Sequence, residues 1–224
     1  MKTTFKLLIV LALVATFSSC KKESNGPDAK ADFTMQEKST ANRNAQAKAI
    51  GSFTFTKALV GVKKVKFEME HNGNDQDYKY KGAYTFDVLT GTSTPPIQPV
   101  DIQPGTYKKI KVKIDNVMPS GNSIEIAGTY NIAGMSYQFE FTSTSDQEYE
   151  VENPNGISVP QGHTVTFVLE LDLQSLFSGV DFATATVDND GVIRINNSSN
   201  PVLKDIIENN FDDIMDCEGH DHDD

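Results

Sequence analysis

From Ile50 onward, apolar and polar residues alternate with a period of two. Phe53 and Phe55 flank Thr54, and Val65, Phe67 and Met69 are separated by Lys66 and Glu68. Tyr84, Phe86 and Val88 follow, then Ile110, Val112 and Ile114 between Lys109, Lys111 and Lys113. Ile124 and Ile126 flank Glu125, and Tyr137, Phe139 and Phe141 flank Gln138 and Glu140. Val165, Phe167, Leu169, Leu171 and Leu173 make the longest apolar file. Successive side chains of a strand point to opposite faces, so these runs predict half-buried strands. Asn72-Gly73, Pro104-Gly105, Ser120-Gly121, Asn155-Gly156 and Gln161-Gly162 punctuate them as turns. With no strand–helix–strand rhythm, the pattern predicts an all-β fold: an antiparallel β-sandwich over residues 50–198.

Asp188-Asn189-Asp190-Gly191, between Ala185–Val187 and Val192–Ile195, predicts a hairpin. The same four residues invite a calcium-loop reading. With Gly191 as sixth position, however, Thr186 and Asn197 fall where an EF-hand needs carboxylates. Beyond this the period changes. Leu203, Ile206, Ile207, Phe211, Ile214 and Met215 recur at three- and four-residue spacing and predict one amphipathic helix over 199–216, with Asn200 as N-cap and Pro201 in its first turn. Residues 217–224 read as an acidic tail containing His and Cys.

At the other end, Lys2 and Lys6 precede an apolar run from Leu7 to Phe17, too short for a bilayer core of about 30 Å. The run leads to Ser18-Ser19-Cys20, so residues 1–19 read as a lipoprotein signal peptide and Cys20 as the lipid-bearing first residue. Phe17 and Ser19 depart from the commonest lipobox. Residues 20–49 are polar and read as a tether, with a short helix around 33–46 as the alternative.

Charge sharpens this division. The formal net charge is -11, and removing Lys2 and Lys6 with the leader leaves -13. Nine acids and no Lys or Arg lie in residues 205–224, so the rest of the mature chain carries -4. That balance excludes nucleic acid as an expected partner. Of the two cysteines, a lipidated Cys20 would leave Cys217 a lone thiol, and the fold would then rest on its core alone.

Gly82-Ala83-Tyr84-Thr85-Phe86-Asp87-Val88-Leu89-Thr90-Gly91, with Asp101-Ile102-Gln103-Pro104-Gly105-Thr106-Tyr107, resembles a group of exported lipoproteins of Bacteroidota-type envelopes. In these, a strand ending in Leu-Thr-Gly leads to a Pro-Gly-x-Tyr strand opening. The resemblance covers about residues 55–175. It implies a lipid-anchored β-sandwich of unknown function in the outer membrane, facing periplasm or exterior, and carries no active site.

The tail holds the richest chemistry. Cys217, His220 and His222, with Asp216 and Asp212, could supply Zn or Cu through thiolate and imidazoles, or Ca through carboxylates. In a continued helix Glu208, Asp212 and Asp216 would form one like-charged stripe near the unfavourable end of the macrodipole, which a cation would relieve. A solvated acidic end is the plainer reading. Lys63, Lys64 and Lys66, Lys79 and Lys81, and Lys109, Lys111 and Lys113 would form either a basic face or cross-strand pairs with Glu68, Glu70, Glu125, Glu140 or Glu150, and pairing is expected. Tyr78 and Tyr80 share parity with Tyr84 and Phe86 and should lie on the core side. There is no Trp to serve as a sugar platform. No Gly-x-Ser-x-Gly, His-Glu-x-x-His or phosphate loop occurs, and His71 and His163 stand isolated.

The expected function is a lipid-anchored, non-catalytic binding or structural role in the cell envelope, requiring no cofactor, with the membrane and a protein or small ligand as partners. Two alternatives remain open. One is metal binding by the tail. The other is a fimbrillin-like fibre subunit, trimmed in some such proteins after an early Arg; here the arginines are Arg43 and Arg194.

Overall fold

A computed structural model describes residues 29–38, 52–71, 74–211 and 214–222, with backbone alone at 70, 71, 74–77 and 215–222. The chain folds as an all-β sandwich. Strands β1 (Ala29–Glu37), β5 (Val100–Ile102), β10 (Thr164–Leu171) and β12 (Met215–His222) form a four-stranded sheet in the order β12-β10-β1-β5. The larger sheet contains β2 (Ser52–His71), β3 (Asn74–Asp87), β4 (Thr92–Thr94), β6 (Gly105–Ile114), β7 (Ile124–Ile132), β8 (Met135–Ser143), β9 (Gln147–Val159) and β11 (Val192–Ile195). Its main path is β11-β8-β7-β2-β3-β4, with β6 beside β2 and β9 beside β6. Two short helices, α1 (Leu173–Leu176) and α2 (Pro201–Asn209), complete the order.

β2 organises the larger sheet. One edge pairs with β3, while the other pairs first with β7 over 52–60 and then with β6 over 62–69. The partners change at Gly61, whose N–H donates to the Ser123 carbonyl and whose carbonyl accepts from the Asp115 N–H. A Cβ at Gly61 would stand 2.7 Å from the Asp115 carbonyl oxygen, so the join needs glycine.

The core lies between the sheets. Phe33 and Phe167 are register partners in the small sheet, and Phe67 of the larger sheet reaches them at 6.5 and 4.6 Å between ring centroids. Each such fully buried side chain stabilises the fold by about 1.5–3 kcal/mol relative to exposure. A second cluster joins Phe53, Phe55 and Phe139 to Phe177 and Phe182, which follow α1 and cover that end of the sheet.

Several expectations are revised. The segment read as a tether contains β1, whose alternating buried Ala29, Ala31, Phe33 and Met35 form an apolar face made weak in sequence by two alanines. The pairings are not all antiparallel, because β1 runs parallel to β10 and β11 parallel to β8. The turn at Asp188–Gly191 forms, but strand lies only on its C-terminal side, at Val192–Ile195. Arg194 holds the turn's Asp188 and Asp190 at 2.7 Å each, so these carboxylates already have a cation.

The C-terminal helix, expected over 199–216, ends at Asn209. Asn210 stops it: its Nδ2 donates to the carbonyls of Leu176 and Ser178, both at 2.8 Å. Asp216 thus lies beyond the helix, where the chain returns as β12, antiparallel to β10. Asn200 is not an N-cap through its side chain. It adopts φ 52° and uses its amide to accept from Thr186 N–H and donate to the carbonyls of Thr186 and Arg194.

Candidate functional site: a cleft at one end of the sandwich

A cleft of about 400 Å³ opens where β1 ends. It is lined by Gln36, Glu37 and Lys38, by the turn Val88–Gly91 after β3, and by Gln174 of α1. Backbone bonds lock these three pieces together. Glu37 N–H donates to Val88 O at 2.9 Å, and Lys38 N–H to Leu171 O at 2.8 Å. Asp87 shapes the turn, its carboxylate accepting from Leu89 N–H at 3.0 Å and its carbonyl from Gly91 N–H at 2.9 Å. Gly91 takes φ 70°, which a side chain would resist, and its carbonyl accepts from the Thr34 hydroxyl at 2.7 Å. Asp172 caps α1 by accepting from Ser175 N–H, which sets Gln174 at the rim.

The electrostatics of the cleft centre on Glu37. Burial alone raises its carboxyl above the ordinary carboxylate value. Its carboxylate has neither an ion-pair nor a hydrogen-bond partner among the described residues. Gln36 donates through Nε2 to Glu170 at 3.3 Å, which turns its own carbonyl oxygen away from that partner and leaves it an acceptor. The arrangement suits recognition of a small polar molecule. Among the described residues, nothing in the lining forms a nucleophile–base pair.

The residues singled out in the sequence are distributed elsewhere. Cys20 and Asp212 lie outside the described residues. Asp216, Cys217, His220 and His222 stand in β12, opposite Glu170, Leu169, Thr166 and Thr164 respectively. His220 and His222 therefore share register parity with Asp216, while Cys217 has the other parity. Among the described residues, no three His, Cys, Asp or Glu side chains converge as metal ligands would.

The lysine strands do become neighbours; the lysines of β2 and β6 pair with acids, while Lys79 and Lys81 of β3 stand in register opposite Lys66 and Lys64. Lys109 meets Glu150 and Glu152 at 2.7 and 2.6 Å, Lys111 meets Glu150 and Glu68, and Lys64 meets Glu148 at 2.7 Å. Hydrogen bonds from Lys109 and Lys111 push the Glu150 carboxyl down to about 2. Beneath α2, Lys204 is buried and donates to Glu208 at 2.6 Å, while Ser143 and Ser145 donate to the other Glu208 oxygen. Burial works to raise the Glu208 pKa, but these bonds outweigh it and the carboxyl is lowered. These ion pairs and hydrogen bonds join neighbouring elements and act in folding.

A family model described as a domain of unknown function, DUF4382, matches residues 51–187, more than half of the chain. The chain belongs to the DUF4382 family. No curated protein and no solved structure matches it. The DUF4382 match spans β2 to β10 and α1, so this chain adds β1 from one side and β11, α2 and β12 from the other. Val88–Gly91 and Gln174 of the cleft belong to the DUF4382 portion, whereas Gln36, Glu37 and Lys38 come from β1 and its end. The Leu89-Thr90-Gly91 turn was visible in sequence as a shared motif. Glu37 was missed because it lay in a segment read as tether.

Proposed function

We propose that this DUF4382 protein is a lipid-anchored protein of the cell envelope, held in the outer membrane through Cys20, with a non-catalytic role in binding a small polar ligand in the cleft. The observation that supports this reading most is the polarity of β1. The strand starts nine residues after Cys20, a stretch that extends at most about 32 Å. The cleft lies at its opposite end, about 26 Å further along eight strand steps. An anchor at the start of β1 thus lets the cleft, at the far end of the strand, face away from the bilayer. The signal-like leader, the lipobox-like Ser18-Ser19-Cys20 and the likeness to Bacteroidota-type lipoproteins point the same way.

The test is detergent phase partitioning with mass spectrometry of the mature N-terminus. The wild type should enter the detergent phase and begin with an acylated Cys20, and Cys20→Ser should remain aqueous. An unmodified N-terminus elsewhere in the leader would overturn the anchor.

The β12 register favours a second reading, metal binding by the tail, with His220 and His222 as the pair and Cys217 apart from them. Calorimetry with Zn, Cu and Ca should then show affinity that falls in the His220→Ala and His222→Ala variants. Binding unchanged in both would discard it.

A further inference from the structure

Resting on the reading of the cleft as a binding site, we infer that its ligand is a small molecule bearing a protonated amine, with Glu37 as the counter-ion. The main chain at Glu37 is fixed, its N–H committed to Val88 O at the join between β1 and the turn, which keeps the residue in the cleft wall. A carboxylate so placed has lost part of its hydration, and among the described residues no cation replaces it. Lys38, next in sequence and also in the lining, has a partner of its own.

The rest of the lining fits the same ligand. An ammonium group has three donors and no acceptor, so it needs acceptors around it. Gln36 also lines the cleft, and with its amide nitrogen engaged by Glu170 its side-chain oxygen remains an acceptor. The Thr90 hydroxyl and the Gln174 amide, which is exposed at the rim, can accept as well. Other ligand classes fit less well. A neutral sugar would leave the carboxylate uncompensated, and among the described residues the lining has no aromatic face for it to stack on. A metal ion would find one carboxylate where it needs several ligands. An anion would meet Glu37 directly. A cleft of about 400 Å³ also lies within the range of small-molecule sites, so the amine can carry a body of several atoms.

The test is calorimetry on the full chain in detergent with two matched pairs of probes. These are 1,4-diaminobutane against 1,4-butanediol, and glucosamine against glucose. Each pair keeps shape and exchanges an amine for a neutral group. The variants are Glu37→Gln, which removes the charge, and Gln174→Trp, which plugs the cleft from the rim; circular dichroism and a melting curve confirm that each is folded. An amine should bind at least tenfold more tightly than its neutral partner, lose at least tenfold in Glu37→Gln, and be blocked in Gln174→Trp. Its affinity should fall on acidification as Glu37 is protonated.

Neutral probes that bind as well as the amines, or amine binding indifferent to Glu37→Gln but lost in Gln174→Trp, would overturn the amine inference and keep the cleft as a site. No binding by any probe, or binding untouched by Gln174→Trp, would overturn both.

Discussion

The Tyr80 hydroxyl donates a 2.6 Å hydrogen bond to the Ala31 carbonyl, tying the larger sheet to the middle strand of the smaller one. Tyr80 is only 5% exposed, and burial, reinforced by the charge of Asp32, raises its phenol well above the ordinary tyrosine value. Replacing it with Phe keeps the ring and removes the tie. Tyr80→Phe should cost about 0.5–1.5 kcal/mol in urea unfolding and speed amide exchange in β1 more than in β7 or β8. Uniform exchange across both sheets would contradict that role.

Asn200 combines a left-handed backbone with three side-chain bonds to Thr186 and Arg194. Asn200→Ala loses the bonds and keeps the unfavourable φ, so it should cost about 2–3 kcal/mol. Asn200→Gly relieves the backbone only. It should recover roughly 1 kcal/mol of that loss, and a Gly variant as stable as wild type would show that the amide bonds contribute nothing.

Acid should act on the fold through Glu125 and Glu150. Burial of Glu125 opposes its charge, but hydrogen bonds from Lys57, Ser120 and Asn122 prevail and hold its carboxyl at about 2, well below its ordinary 4.5. A carboxylate depressed in the fold contributes stability that is complete above its unfolded value and is lost as pH falls towards the folded one. Stability should therefore decline between about pH 4.5 and pH 2. Glu125→Gln, at a side chain only 11% exposed, should cost about 1–3 kcal/mol at pH 7. Glu150→Gln, on the solvated ladder, should cost less than about 1 kcal/mol and lose its effect in high salt. Melting curves against pH for both variants check the ranking.

Glu37 has the opposite sign. Its folded pKa is raised, so its ionised form is disfavoured in the native state, and the penalty grows as pH rises through the carboxylate range. Glu37→Gln should raise the melting temperature at pH 7 by a degree or two and leave it unchanged near pH 3. A variant that melts lower at pH 7 would mean that Glu37 is stabilised in the fold.

Alternation made the larger sheet legible. Val65-Lys66-Phe67-Glu68-Met69 and Ile110-Lys111-Val112 place their apolar residues inward as their period demands; Lys66 pairs with Glu68 of its own strand and Lys111 with Glu150 of β9. Tyr80 likewise falls on the core side. What escaped was carried by weak or non-local signals. In β1 the inward positions begin with two alanines, and the strand forms only because β10 and β5 offer edges far away in sequence. The end of α2 was hidden because the apolar spacing continues through Phe211 and Ile214, both buried although the helix has stopped. The cleft is a product of tertiary assembly. Residues 36–38, 88–91 and 174 share no pattern, and only the Leu89-Thr90-Gly91 turn among them was marked as a unit.

The position of β1 also decides how the fold bears load. It is the first strand, yet it lies in the interior of its sheet, with β10 bonded along eight residues on one side and β5 on the other. Tension applied at Ala29 runs along the strand axis and strains those rungs in parallel, so they must give way together. A strand peeled from an edge would release them one after another. Whatever tugs on the N-terminal side of this domain thus meets shear resistance, and the rate of forced unfolding is set by that collective rupture.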